Sequence, residues 1–126
     1  MHGTLNDQSL IYLQIARMIE DDILRGVCRA EEQVPSTNEL ARVWHINPAT
    51  AAKGLNQLTA EGILYKRRGI GMFVSPGAED LIRTKRKAAF MADFVRPMIK
   101  ESASLSLSRE ELLDMVRRAM EEGEQK

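Results

Sequence analysis

The chain has 126 residues, 18 basic and 18 acidic side chains, a hydrophobic fraction of 44% and one cysteine. This is the composition of a soluble globular protein of one ordinary domain plus an appendage, and the lone Cys28 excludes an intrachain disulfide framework and fits a reducing cytoplasm. Balanced charge argues against indiscriminate coating of nucleic acid, and no apolar run nears the ~18 residues that span a bilayer.

Ile11, Ile15, Ile19 and Ile23 recur every four residues, with Met18 and Leu24 widening the stripe. This predicts an amphipathic helix from about Leu10 to Arg25, stopped by Gly26. Residues 27–34 read as an irregular connector. Ser36 and Glu39 then stand in capping-box spacing, opening a second helix from Thr37 to about Trp44 that is expected to bury Leu40, Ala41 and Trp44. Asn47-Pro48 opens a third, with Asn as cap and Pro at the first helical position, where its missing N–H costs nothing. That helix carries Leu55 and Leu58 inward and ends at Gly62. Two short helices joined by a tight turn suggest a helix-turn-helix, a unit that reads double-stranded DNA.

After Gly62 the period shortens. Ile63–Arg67 and Gly71–Val74 are β-prone runs around a turn centred on Gly69, a hairpin wing directly behind the third helix. Ser75-Pro76-Gly77 punctuates the chain, which divides it into a DNA-binding domain over 1–76 and a helical region over 77–126. A long helical stretch from Ala78 carries Leu81, Ile82, Ala89, Phe94, Val95 and Met98, with Pro97 placed to kink or end it. A polar linker over 102–108 leads to another capping box, Ser108 with Glu111. The last helix presents Leu112, Leu113, Val116 and Met120. The expected fold class is therefore mainly α with a small β-hairpin: a winged helix-turn-helix followed by two C-terminal helices.

The stripes on those two helices must pack against the winged domain, each other, or a second copy. A homodimer through Phe90, Phe94, Val95, Met98, Leu112, Leu113, Val116 and Met120 is the economical answer, because a helix-turn-helix dimer matches two half-sites with its own two-fold axis.

Ile11-Tyr12-Leu13-Gln14-Ile15, Pro35-Ser36 with Glu39-Leu40-Ala41, Asn47-Pro48-Ala49-Thr50, Leu58 to Gly62 and Arg68 to Val74 occur in an order that resembles the GntR family of bacterial transcription regulators. The resemblance covers roughly the first two-thirds of the chain. The short stretch after Pro76 is too small for the effector domains of the larger members and is similar to the YtrA subfamily, whose C-terminal part mainly dimerises. It implies a repressor that binds a near-palindromic operator, with members often lying beside transporter genes. A small-molecule effector, if one controls the protein, would bind between the tail helices and the winged domain.

The resemblance implies roles at named positions. Thr37, Asn38, Asn47 and Pro48 fall where the two helix starts face DNA. Ser36 and Thr50 sit at helix N-termini, where hydroxyls and the positive dipole end favour phosphate, with plain capping as the alternative. Lys53, a cation on the third helix, is placed to donate to guanine O6 and N7, against the alternative of a solvated surface lysine. Lys66, Arg67, Arg68 and Gly69 would track phosphates or probe the minor groove, against the alternatives of a solvated basic face and a glycine that only supplies the turn's positive φ. The family usually has Arg where this chain has Asn38, and Asn lacks the guanidinium fork but can pair bidentately with adenine. Gly54 costs about 1 kcal/mol relative to Ala within a helix, so either close packing or close approach to DNA is expected there.

His2 and His45, with Cys28, make no zinc-like ligand set, and no phosphate loop or nucleophile elbow is present. Neither cofactor nor enzyme activity is expected. The cluster Arg83, Lys85, Arg86 and Lys87 reads as an exposed face. The alternative from another class is a winged-helix protein-interaction scaffold, which would lack salt-dependent DNA binding.

Overall fold

A computed structural model describes residues 8–124; His2 lies outside them. The elements run α1 (Gln8–Leu24), α2 (Thr37–Trp44), α3 (Pro48–Ala60), β1 (Leu64–Arg67), β2 (Gly71–Val74), α4 (Ala78–Phe90), a π-helical turn (Met91–Val95), α5 (Arg96–Ser104) and α6 (Arg109–Glu124). The architecture is mainly helical with one antiparallel hairpin, as the periodicity predicts. The chain divides into two compact units between Thr84 and Lys85, inside α4.

In the first unit α3 packs against both α1 and α2. The isoleucine stripe of α1 supplies Ile15, Ile19 and Ile23 to a core completed by Leu40, Leu55 and Leu58 from the next two helices. Leu64 and Val74 seal it from the hairpin, and Ala78 and Ile82 from the start of α4. Each fully buried branched side chain contributes about 1.5–3 kcal/mol relative to exposure, so this cluster holds the unit together.

The helix ends obey local chemistry. Ser36 Oγ accepts from the Glu39 N–H (3.1 Å) while the Ser36 N–H donates to Glu39 Oε1 (2.9 Å), so the capping box is complete. Asn47 Oδ1 accepts from the Ala49 N–H at 2.8 Å, with Pro48 at the first helical position. His45 closes α2 in the left-handed conformation (φ 53°, ψ 48°), its backbone N–H donating to the Ala41 carbonyl.

Trp44 departs from expectation: it is 48% exposed rather than buried. It is the last residue of an eight-residue helix whose inward positions are already taken by Leu40 and Ala41. Its ring borders a small apolar cleft with Met18, Cys28 and Val34. The connector is also less irregular than its composition suggests. Glu31 N–H donates to the Val74 carbonyl, Val74 N–H to Glu32, and Val34 N–H to Met72, so this segment lies along β2 as a partial third strand.

Pro97 neither ends nor sharply interrupts the helix. The backbone stays helical at Phe90, Val95 and Arg96, and the turn before Pro97 widens so that the Arg96 N–H donates to Met91, five residues back. Widening accommodates a ring that would otherwise crowd the carbonyl four residues earlier. The expected linker over 102–108 is largely structured too. Residues up to Ser104 are helical, and the Leu107 N–H donates to Ser102 and the Ser106 N–H to Ala103, with Ser106 at φ 58°. This is a Schellman closure with serine in the glycine position. Ser108 and Glu111 then form the second complete capping box.

Candidate nucleic-acid interface

The interface begins with the two helix starts. Ser36 caps α2 with its hydroxyl oxygen, which accepts from the Glu39 N–H, and its side chain also engages the Glu39 carboxyl. Thr37 is half-buried beside it and Asn38 is exposed. At the second start Asn47 engages three consecutive amides: Ala49 through its side chain, Thr50 and Ala51 through its carbonyl. Asn47 and Pro48 are exposed, whereas Thr50 keeps only 6% of its surface accessible.

The exposed residues of α3 include Ala49, Lys53 and Asn56, with Ala52 half-covered, while Ala51, Gly54, Leu55 and Leu58 turn inward. Gly54 has a packing role: a Cβ there would lie 3.0 Å from the Tyr12 carbonyl oxygen and 3.3 Å from Ile15 Cγ2. Of the two expectations for this glycine, close approach to α1 is the one the structure shows. Lys53 Nζ stands 4.4 Å from the centroid of the Tyr12 ring, a cation–π contact across the same seam.

The basic triplet of the wing is split by strand geometry. Alternate residues of a strand point to opposite faces. Lys66, opposite Met72, shares the face of Leu64 and Val74, toward α3. Arg67 lies on the other face, its guanidinium 4.7 Å from the Phe73 ring, beside the Tyr65–Phe73 stack. Tyr65 Oη donates to Glu31 Oε1 at 3.0 Å, which ties that outer face to the connector. Arg68 and Gly69 occupy the exposed turn, with Gly69 at φ 78°, and Ile70 beside them is 61% exposed.

An open groove of about 420 Å³ draws these pieces together. It is lined by Pro35, Ser36, Thr37 and Asn38 from the start of α2, by Ala52 and Asn56 from α3, and by Lys66 and Met72 from the hairpin. Asn56, which the sequence did not single out, lines this groove, while Tyr12 reaches Lys53 and Gln33 reaches the wing tip. Asn56 was legible from its position one turn beyond Ala52 on the exposed face of α3; the contacts of Tyr12 and Gln33 are with partners distant in sequence, which no local pattern marks.

The gntR family model of bacterial regulatory proteins matches residues 11–74, the span from α1 to the end of the wing. The chain belongs to the GntR family. Over 123 residues it is 30% identical to the HTH-type transcriptional regulator YhcF of Bacillus subtilis (strain 168), covering 98% of this chain and 100% of that one. The HTH-type transcriptional repressor YtrA of the same organism is 26% identical over 107 residues, covering 85% and 82%. A probable fructoselysine utilization operon transcriptional repressor of Escherichia coli (strain K12) is 35% identical over 65 residues, 52% of this chain, which spans 27% of that longer protein. Among solved structures, a transcriptional regulator of the GntR family from Bacteroides thetaiotaomicron superposes with a TM-score of 0.78 at 34% identity, covering 90% of this chain and 98% of that one. These relatives are named for transcriptional regulation, not catalysis. In this GntR chain, no group of three or more metal-ligating side chains converges among the described residues, and no described helix is long and apolar enough to cross a membrane.

The second unit contributes a different surface. Phe90 (58% exposed), Phe94 (64%) and Met98 (40%) lie along the helix around the π-helical turn, with Val95 half-buried; Leu113 and Met120 on α6 are exposed as well, and Leu112 and Val116 half-buried. Phe90 and Phe94 rings sit 5.5 Å apart. Of the cluster expected to be an exposed face, Arg83 pairs with Glu79 at 3.3 Å and Lys87 is exposed, while Lys85 and Arg86 are half-buried.

Proposed function

We propose that this GntR protein is a homodimeric repressor that reads a near-palindromic operator in double-stranded DNA. The observation that carries the reading is the shared groove: the start of α2, Ala52 and Asn56 of α3 and a wing lysine line one concave surface. A helix presented this way enters the major groove, with Asn38 and Asn56 toward base edges. Ser36 and Lys66 meet phosphates on either side, and the Arg68-Gly69 tip reaches the adjacent minor groove. Thr50, being nearly covered, contributes to the seating of α3 more than to contact with DNA.

The tail supports the dimer. Exposed Phe90, Phe94 and Met98 around the π-helical turn, with Leu113 and Met120 on α6, are apolar side chains that a second copy would cover. Occlusion of a promoter is the expected output. The resemblance to YtrA-type regulators points to transporter genes as the target and leaves room for a small-molecule effector.

The test is binding to a labelled duplex from upstream of the gene that encodes the chain. Competitor-resistant binding that falls steeply with salt, by a protein sedimenting as a dimer, supports the function. Weak, sequence-indifferent binding overturns it. Phe94→Glu should shift the protein to monomer and lose affinity for the two-half-site duplex, while the winged unit stays folded.

A further inference from the structure

We propose that Tyr12 is a positioning residue for DNA binding: its ring holds the Lys53 ammonium on the α1 side of α3, where it serves a backbone phosphate and not a base edge. The inference rests on the DNA-reading function proposed above.

Two observations carry it. The first is the contact itself, 4.4 Å from Nζ to the ring centroid, made between two different helices. The second is what permits that contact. Gly54, the residue after Lys53, has the Tyr12 carbonyl oxygen 3.0 Å from where its Cβ would lie. The two helices close over a glycine, and the closure brings the Tyr12 ring within reach of the lysine. A larger residue at 54 would push α1 away and release Lys53.

The placement of Lys53 also separates it from the polar groove. Ala52 and Asn56 line that groove with Asn38 and Lys66; Lys53 is not among its lining residues. The exposed face of α3 therefore has an amide edge toward the wing and a cationic edge toward α1. When a helix lies in a major groove its central face meets base edges and its rims meet the flanking phosphates. An ammonium at a rim is a point charge suited to phosphate, without the fork that reads guanine bidentately. A free lysine must surrender rotamer freedom on binding, and the ring reduces that loss in advance.

The experiment uses the full chain and the tightest duplex it recovers from a random pool, with affinities measured across a salt series. Lys53→Ala should weaken the selected duplex and its single-base variants evenly, and flatten the log–log salt slope by about one ion. Tyr12→Phe should bind like the wild type. Tyr12→Leu should weaken binding about fourfold in the wild-type background and hardly at all in Lys53→Ala. The Lys53 Hε protons should show an upfield ring-current shift that persists in the DNA complex, a reading that needs no variant.

A Lys53→Ala protein that relaxes preference at one base pair with its salt slope unchanged overturns the phosphate role. Equal losses from Tyr12→Leu in both backgrounds, or an upfield shift that vanishes on DNA, overturn the positioning role. A pool that yields no preferred duplex overturns the DNA-reading function and this inference with it.

Discussion

Gln33 and Ile70 are joined across the wing by a hydrogen bond of 3.0 Å from Gln33 Nε2 to the Ile70 carbonyl. The connector thus grips the hairpin at its tip as well as along β2, where Gln33 bridges Phe73. A two-stranded hairpin alone is marginal in water, and this third segment gives it a fixed aim.

Removing that grip should affect binding more than folding. Gln33→Ala is expected to lower stability by no more than about 1 kcal/mol, since the bond is exposed, yet to weaken DNA binding severalfold by freeing the tip. Urea titration and fluorescence anisotropy on the same protein separate the two effects. Gly71→Ala should do worse in both: its φ of 146° suits glycine alone, and the Gln33 side chain occupies the space a Cβ would need.

Gly54 sets two effects against each other. Alanine there gains about 1 kcal/mol of helix propensity. It also forces a Cβ against the Tyr12 carbonyl, a backbone atom that moves only if α1 moves. Overpacking of this kind costs about 1–3 kcal/mol, so Gly54→Ala should be mildly destabilising and Gly54→Val strongly so. Thermal unfolding orders the three proteins; a Gly54→Ala protein more stable than the wild type would refute the tight seam.

The capping box on α2 carries a pH signature. The Glu39 carboxyl is held below its ordinary value, first by the hydrogen bond from the Ser36 backbone N–H and then by the Ser36 hydroxyl. A depressed folded value means the contribution is present above the unfolded value, about 4.5, and is lost as pH falls through the lower folded one. Glu39→Gln, which keeps a capping-box acceptor without a charge, should lack this acid-side loss. Ser36→Ala should cost about 1 kcal/mol at neutral pH, read by denaturant titration.

Trp44 is the single tryptophan of the chain, so its environment can be read directly. Half-exposed, it should emit at the long wavelength of a hydrated indole and be quenched readily by iodide. Trp44→Ala should cost about 1 kcal/mol, well below the roughly 3–5 kcal/mol typical of buried aromatics. Blue-shifted, protected emission would return Trp44 to the core.

The sequence carried most of the architecture because that architecture is written in local terms. The four-residue spacing of Ile11 to Ile23 marks α1, Ser36 with Glu39 and Asn47 with Pro48 mark the next two helix starts, and the β-prone runs around Gly69 mark the wing. Each depends on residues within a turn or two of one another, where capping and periodicity act. The misreadings share one cause: Trp44 had the right composition for a core, but the short helix had no inward position left for it. Residues 27–34 lacked a strand pattern, yet found partners on β2.

What the sequence by itself determined is the order and kind of elements, and through the ordered motifs the GntR family. Tertiary structure alone decided which side chains share a surface. The pleat sends Lys66 and Arg67 to opposite faces of one hairpin, and the α1–α3 seam closes over Gly54 and carries Tyr12 to Lys53. The folded connector brings Gln33 to Ile70. Those pairings depend on distances between segments far apart in the chain, and such distances are set by packing, which no local pattern encodes.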